Sequence, residues 1–458
     1  MDPRLEAVVK AYDVRGRSPE QLDAALAYAI GEAFAHETGI SGGRGRAAVG
    51  RDMRETSPEI AKAIGDGIRA QGAGVVDIGL ASTDLLYFAS GEWDIPGVMV
   101  TASHNPAGYN GLKMCRAGAR PIGLDTGLSR IAEAASELLD GEGRGELVGG
   151  LETADALGAY ATRLRELAPL PGGRRLKVVA DAGNGMAGHT VPAVFDGMDV
   201  DLVPLYFELD GTFPHHEANP LDVTTLVDLQ AAVIAEGADI GLAFDGDADR
   251  CFVIDERGQV VTPSAITALI AARYLVRHLG ATILHNVICS RAVPEIIAES
   301  GGVAVRTPVG HSLIKAEMAR TGAVFAGEHS GHFYFQEFFL ADSGMLAGMH
   351  VLAALAETGG TVSQLMESYS RYASSGEINS TVEDAPAILA ALESAYADKD
   401  LDHMDGLTVS TDDWWFNVRA SNTEPLLRLN VEGADQAIMA SIRDDVLGLI
   451  RGRKKRES

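Results

Sequence analysis

A chain of 458 residues is too long for one hydrophobic core and implies roughly three or four domains. Its hydrophobic fraction of 46% and charged fraction of 22% are those of a globular protein, and no apolar run reaches the ~18 residues a membrane helix needs. The net charge of −26 argues against non-specific nucleic-acid binding, which needs a cationic face, and leaves any anionic substrate to local Lys and Arg. Cys115, Cys251 and Cys289 are few and far apart, which fits a reducing compartment better than a disulfide framework or a thiolate metal site. The N-terminus is charged and lacks an apolar signal core, so the expected location is the cytoplasm.

In chain order, the motif Lys10-Ala11-Tyr12-Asp13-Val14-Arg15-Gly16 comes first. A helical stretch over 20–37 ends at Gly39 and the glycines at 42, 43 and 45. A pattern of three strands then occurs three times. Its first copy has strands at 47–50, 74–78 and 97–100, with Ser57-Pro58 opening a helix as N-cap and first-turn proline. The second copy has strands at 176–181, 198–202 and 239–243; the third has them at 282–284, 303–305 and 323–325. Strands alternating with helices predict α/β units with largely parallel pairing. In each copy the third strand empties into a polar loop, and ligands in such folds sit beyond the carboxyl ends of strands. Residues 371–458 differ: strands at 380–382, 407–410, 414–419 and 426–431 with helices at 385–397 and 434–449 predict a small α+β domain. The expected domains are 1–148, 151–254, 255–366 and 371–458. The basic tail 451–456 reads as a solvated helix end, where cations suit the dipole.

The loop after the first third strand is Thr101-Ala102-Ser103-His104-Asn105-Pro106, with Lys113 ten residues beyond the serine. By itself it fits a surface turn as well as it fits a nucleophile. The loop after the second is Asp245-Gly246-Asp247-Ala248-Asp249-Arg250. Three carboxylates so close repel by about 4 kcal/mol per pair at ~4 Å and an effective dielectric of about 20, so a cation is expected among them. Hard oxygen ligands suit Mg²⁺ or Ca²⁺, not zinc. A calcium-binding EF-hand and a solvated acidic turn are the alternatives. The EF-hand needs glycine at its sixth position, where Arg250 stands, and helical flanks, where strands are predicted. Arg250 is placed to hold a phosphate on the same cation.

The third loop, Gly327-Glu328-His329-Ser330-Gly331-His332, offers Glu328 and Ser330 to vicinal hydroxyls, or is simply a satisfied turn. Arg419-Ala420-Ser421-Asn422-Thr423 leaves a strand carrying a guanidinium, two hydroxyls and an amide, with Arg428 on the next strand. That set suits a phosphate dianion; an Asx turn is the alternative.

Together, in this order and across essentially the whole chain, these four loops and the motif Ala11-Tyr12-Asp13-Val14-Arg15-Gly16 resemble the signatures of the α-D-phosphohexomutase superfamily, its bacterial phosphomannomutase/phosphoglucomutase branch above all. The resemblance implies three similar mixed α/β domains and a C-terminal α+β domain of the TATA-box-binding-protein-like type around a central cleft. It implies a phosphorylated Ser103 which, with Asp245, Asp247 and Asp249, binds Mg²⁺. It also implies reversible interconversion of mannose 6-phosphate and mannose 1-phosphate through a bound hexose 1,6-bisphosphate, which also serves as activator. Phosphoglucomutase or dual specificity is the alternative, with a phosphoglucosamine mutase, a sugar-phosphate phosphatase or a non-catalytic sensor behind it. Within that scheme Lys113 is the expected general acid/base, its pKa pushed down by Mg²⁺ and Arg250, and His104 assists positioning. Tyr12, Arg15, His311, Glu328, Ser330, Arg419, Ser421, Asn422, Thr423 and Arg428 are the expected substrate-binding residues. The expected partners are small hexose phosphates, with no nucleic acid or membrane, in a monomer or dimer. One departure stands out: where relatives place a substrate-reaching Lys, this chain has Ile288, with Arg291 the nearest cation able to compensate. His329 stands where phosphoglucosamine mutases usually have Gln and many mannose/glucose enzymes Met, which disfavours glucosamine.

Overall fold

The structure is a computed structural model that describes residues 2–139, 145–420 and 426–452. The chain packs into two compact units, residues 1–261 with 330–365, and residues 262–329 with 366–458.

The first unit contains two sheets built on one plan. In the first sheet, strand Arg46–Arg51 lies parallel between Gly74–Leu80 and Gly97–Val100. Tyr109–Arg116 returns antiparallel beside Gly97–Val100, and Val14–Arg17 pairs beyond it. In the second sheet, Leu176–Asp181 lies parallel between Val200–Leu205 and Ile240–Phe244, and Cys251–Ile254 returns antiparallel beside Ile240–Phe244. Val98, Met99 and Val100 are buried without alternation, as expected of a strand covered on both faces. The third strand of each copy therefore occupies the same place in its sheet, and the loops carrying Ser103 and Asp245 leave equivalent strand ends.

The edges of these sheets redraw the expected borders. Leu151–Thr153, assigned from sequence to the second domain, pairs in parallel with Gly74–Leu80 of the first sheet. Val260–Val261, assigned to the third, pairs with Cys251–Ile254 of the second. Backbone pairing runs a few residues past the Gly- and Pro-based punctuation. The helix Ser57–Ala70 also starts one residue early: Thr56 is its N-cap, and the Ser57 hydroxyl turns instead to Asp52.

A buried carboxylate ties distant parts of this unit together. Asp84, in the first turn of helix Thr83–Glu92, accepts hydrogen bonds from Ser82, from the Tyr160 phenol at 2.7 Å and from the Ser343 hydroxyl at 2.6 Å. Burial raises its pKa to about 6, against the pull of those hydroxyls.

In the second unit, Thr282–Asn286 lies parallel between Val303–Thr307 and Phe325–Gly327, which repeats the strand arrangement of the first two sheets. The C-terminal sheet is antiparallel and five-stranded, in the order Ala373–Thr381, Leu426–Gly433, Trp414–Ala420, Leu407–Ser410, Asp400–Asp402. Its last strand, Asp400–Asp402, is too short and polar to be legible in the sequence. Val409, Phe416, Val418, Leu427, Leu429 and Val431 form a core with residues of the helices Ala385–Ala395 and Gln436–Ile450. This agrees with the expected fold class of three similar α/β arrangements and a C-terminal α+β domain. Among the described residues no helix is long and apolar enough to cross a membrane.

Candidate active site

Ser103 sits just past the strand Gly97–Val100, and it is buried. Its φ of 51° lies in the left-handed region that a residue with a Cβ adopts only when its surroundings hold it there. The surroundings do so. The Ser103 N–H donates to Thr101 Oγ1 at 2.9 Å. Arg54, also fully buried, donates through its guanidinium to the carbonyls of Ser103 (2.9 Å), Asn105 (2.6 Å), Pro106 (2.8 Å) and Tyr109 (3.0 Å), and its Nε reaches Asp52 at 3.2 Å. A single side chain thus shapes the whole serine loop.

The acidic loop comes up to the same serine. It joins two antiparallel strands, Ile240–Phe244 and Cys251–Ile254, which rules out the helical flanks of an EF-hand. Gly246 packs directly on Ser103: a Cβ there would stand 2.4 Å from the Ser103 carbonyl oxygen, so only glycine lets the two loops meet. The Ser103 Oγ donates to Asp245 Oδ2 at 2.8 Å.

Asp245, Asp247 and Asp249 are fully buried, each with a carboxylate oxygen within 4.8 Å of the others. Among the described residues Oδ1 of Asp247 and Oδ1 of Asp249 have no hydrogen-bond partner, an arrangement that is costly in a dry interior. Two orphaned oxygens in an all-carboxylate set, with a serine hydroxyl beside it, fit a hard divalent cation. Asp247 is further oriented by Thr83, whose hydroxyl donates to its Oδ2 at 2.5 Å. Burial and the neighbouring Asp249 and Asp247 push the Asp245 carboxyl well above its ordinary pKa. For Asp247 and Asp249 burial is the largest influence and pushes upward too, but Lys113 together with Thr83 at Asp247, and with His332 and Arg250 at Asp249, brings the net direction down.

Lys113 corrects the sequence-based reading. It lies on the returning strand Tyr109–Arg116, opposite Met99, and its ammonium donates to Asp247 Oδ2 at 2.7 Å and to Asp249. Burial lowers its pKa, but Asp247, Asp249, Asp342 and Asp245 more than reverse that, and the net shift is upward. The expectation of a depressed pKa counted positive neighbours; the structure puts carboxylates in direct contact.

His104 is neutral by its setting. Burial lowers its pKa, and Arg250 and Arg15 lower it further. Its Nδ1 lies 3.3 Å from Ser103 Oγ and in short contact with Arg250 Nη2. A guanidinium only donates, so the Nδ1 lone pair is taken and does not serve as a base for Ser103. Arg250 Nε stands 3.3 Å from Asp245 Oδ2. Arg15 donates to Asn105 Oδ1 at 2.7 Å and pairs with buried Asp13, and half-buried Tyr12 precedes that pair. Ser330 Oγ contacts His332 Nδ1 at 2.8 Å, while His332 Nε2 lies 3.6 Å from Asp249 Oδ1. Ser103, His104, Lys113, Arg250 and the three aspartates are therefore one cluster, with Arg15 and Ser330 linked to it through Asn105 and His332.

Three members were not singled out from sequence. Thr83 gave no signal. His332 lay inside the quoted third loop, where nothing in its spacing suggested a task. Arg54 follows the strand Arg46–Arg51, which is adjacent and parallel to Gly97–Val100. The strand-end logic applied to Ser103 points to it as well.

In the second unit, Glu328 is buried and accepts from Asn286 Nδ2 and the Gly310 N–H, each at 3.3 Å. His311 opens the helix His311–Thr321; the expectation for its side chain lies outside the described residues. Ser421, Asn422 and Thr423 also lie outside the described residues, as does the tail from 453. Arg419 Nη2 donates to Glu377 Oε2 at 2.6 Å and Arg428 Nη1 to Glu377 Oε1 at 3.3 Å. Ile288 is buried. Arg291 does not stand in for a lysine there: its guanidinium donates to the carbonyls of Asp412 (2.6 Å) and Thr411 (2.7 Å), and its N–H to Glu432 at 2.9 Å. Those acceptors anchor it to the C-terminal sheet.

Comparison with known proteins agrees with this site. Four family profiles, described as phosphoglucomutase/phosphomannomutase α/β/α domains I, II and III and C-terminal domain, match residues 6–139, 159–258, 263–372 and 377–449. The chain is 38% identical to a protein named phosphohexose mutases from Xanthomonas campestris pv. campestris, over 97% of this chain and 99% of that protein. It is 37% identical to a phosphomannomutase from Salmonella montevideo, over 96% and 98%. It is 36% identical to a phosphomannomutase/phosphoglucomutase from Pseudomonas syringae pv. tomato, over 96% and 94%. Among solved structures, a phosphoglucomutase/phosphomannomutase family protein from Burkholderia thailandensis superposes with a TM-score of 0.87 at 33% identity, covering 99% of this chain and 98% of that one. With its acidic triad against a buried serine and relatives matched end to end, the chain belongs to the phosphoglucomutase/phosphomannomutase family, whose members are mutases of the isomerase class.

Proposed function

We propose that this protein is a phosphomannomutase, interconverting mannose 6-phosphate and mannose 1-phosphate by way of a phosphoryl group on Ser103. The observation that carries the reading is the Ser103 hydroxyl donating to Asp245 beside two carboxylates with orphaned oxygens. That is a hydroxyl able to carry a phosphoryl group next to a cation site. Mg²⁺, held by Asp245, Asp247, Asp249 and Ser103, would supply charge neutralisation to the transferring phosphoryl group. Arg250 and Lys113 present fixed positive charge to the same group. Lys113, kept cationic by its carboxylates, is suited to donating hydrogen bonds and protons, less to removing them. His104 keeps Arg250 in line.

Glu328 and Ser330 are the proposed ligands of the sugar hydroxyls. Tyr12, Arg15, His311, Arg419, Ser421, Asn422, Thr423 and Arg428 complete the proposed binding set. A hexose 1,6-bisphosphate is the proposed activator, because a resting serine must first receive a phosphoryl group. The proposed setting is the cytoplasm, with hexose phosphates as partners, no nucleic acid or membrane, and a monomer or dimer.

The name of the Pseudomonas syringae relative favours a second reading, dual use of mannose and glucose phosphates. One hydroxyl epimer discriminates by about 1–3 kcal/mol, which leaves both open to one site. A coupled assay of mannose 1-phosphate against glucose 1-phosphate, with bisphosphate and Mg²⁺ supplied, tests the proposal. Conversion of mannose 1-phosphate to the 6-phosphate is expected, and chelation should abolish it reversibly. Conversion of neither sugar would refute the mutase reading.

A further inference from the structure

One face of the C-terminal sheet is apolar and forms the core described above. The other is polar, with Asn417 and Asn430 buried and Glu377, Arg419 and Arg428 partly buried. Glu377 pairs with Asn430, Asn417 with Asn430, and Arg419 with Arg428, and partners directly across antiparallel strands share a face. On this face a single carboxylate serves two guanidiniums: each oxygen of Glu377 accepts from one arginine, Oε2 from Arg419 and Oε1 from Arg428. The Glu377 and Arg419 side chains are almost buried. The two guanidiniums are not saturated, however. Among the described residues Nε of Arg419 and Nε of Arg428 are buried without a hydrogen-bond partner, and so are both amide atoms of Asn430.

We propose that Glu377 is a built-in competitor for the substrate phosphate: its carboxylate holds Arg419 and Arg428 when no phosphate is present and yields them when a phosphate dianion arrives. This inference rests on the reading that these two arginines bind substrate. A carboxylate has two oxygens and one charge, whereas a phosphate dianion brings more oxygens and more charge to the same donors, including the unpartnered Nε groups. The exchange is therefore downhill, but less so than binding to bare guanidiniums. This weakening suits a mutase. The bound bisphosphate must release its non-reacting phosphate before its other end can react, and Glu377 stabilises the released state by taking the guanidiniums back. Glu377 is thus a positioning residue that trades affinity for turnover.

Glu377→Gln removes the charge and keeps the shape. Titration calorimetry with inorganic phosphate on the full chain, without metal, should show binding about tenfold tighter than wild type. Steady-state assays should show KM and kcat both lowered. A residue that merely supports Arg419 would give the opposite result, weaker phosphate binding and a raised KM, and either that or no change in a folded variant overturns the proposal. Glu377→Asp keeps the charge on a shorter side chain and should tighten phosphate binding by a smaller factor; it serves in place of the Gln variant if that does not fold, and unchanged or weaker binding counts equally against the proposal. Arg419→Ala separates the two layers. If it leaves phosphate binding intact, the underlying assignment of Arg419 fails and the inference with it. If it weakens binding while neither Glu377 variant tightens it, only the inference fails.

Discussion

Replacing Ser103 by Ala is expected to lower turnover by about 10³-fold or more while hexose phosphates still bind. The substitution removes one atom, Oγ, and one hydrogen bond to Asp245. Its structural cost is about 1 kcal/mol, because the loop is held by its backbone through Arg54 and Thr101 rather than by the serine side chain. The proposed substrate contacts are other residues, so titration calorimetry should show affinity changed by no more than about fivefold, roughly 1 kcal/mol. Chemistry, by contrast, has no other carrier: the His104 lone pair is taken by Arg250, and among the described residues no other hydroxyl donates to Asp245. Turnover within about tenfold of wild type, a barrier change of under ~1.4 kcal/mol, would show that Ser103 is not the carrier.

Arg54→Ala is expected to have the second largest effect, although Arg54 touches no substrate in this account. Its removal takes the guanidinium donor away from the carbonyls of Ser103, Asn105, Pro106 and Tyr109, of which Pro106 keeps the Tyr109 N–H, and leaves the buried Asp52 without its cation. Breaking a buried pair from one side costs about 3–5 kcal/mol. Burial lowers the Arg54 pKa and Asp52 raises it, so the pairing offsets much of the cost of placing that charge inside. Loss of the clamp also frees Ser103 from its left-handed conformation, and a misplacement of about 1 Å costs roughly 10²-fold in rate. Denaturant unfolding and kcat should therefore both fall, kcat already at temperatures where the variant is fully folded. Arg54→Lys restores charge without the fork of donors and should recover stability more than rate. A rate within threefold of wild type in folded Arg54→Ala would rule out the clamp.

What was legible in the sequence follows a simple physical line. Apolar runs that end in polar, Gly-containing loops mark strand ends, and three repeats of that pattern located Ser103, Asp245 and Glu328 before any coordinates. Like-charge repulsion among Asp245, Asp247 and Asp249 pointed to a cation site, which the orphaned carboxylate oxygens support. Four strand-like runs revealed the C-terminal sheet, though not Asp400–Asp402 and only the end of Ala373–Thr381.

What failed to show has equally physical causes. No strand was expected around Lys113, but Tyr109–Arg116 is a strand that turns back beside Gly97–Val100 and lays the ammonium on two carboxylates. Position along the chain drew attention to Lys113 but gave the wrong sign for its pKa. Arg54 acts on backbone carbonyls, which every residue has, so no side-chain pattern announces it. Arg291 was weighed as a substitute for a missing lysine, yet the acceptors that decide its role, Thr411 and Asp412, lie over a hundred residues away. Glu377 sits in a stretch with no motif at all, and only strand register places it across from Asn430 and against two arginines.

The central claim is that Ser103 carries the phosphoryl group, and it can be read directly by mass. The purified protein is incubated with a hexose 1,6-bisphosphate and Mg²⁺, and intact mass and peptide mapping follow. The account predicts a gain of about 80 Da, one phosphoryl group, located on Ser103. That gain should be absent in Ser103→Ala and retained in wild type after turnover of mannose 6-phosphate, because the bound bisphosphate returns a phosphoryl group to the serine. A fully active enzyme that never acquires this mass, or that acquires it on a different residue, would contradict the account.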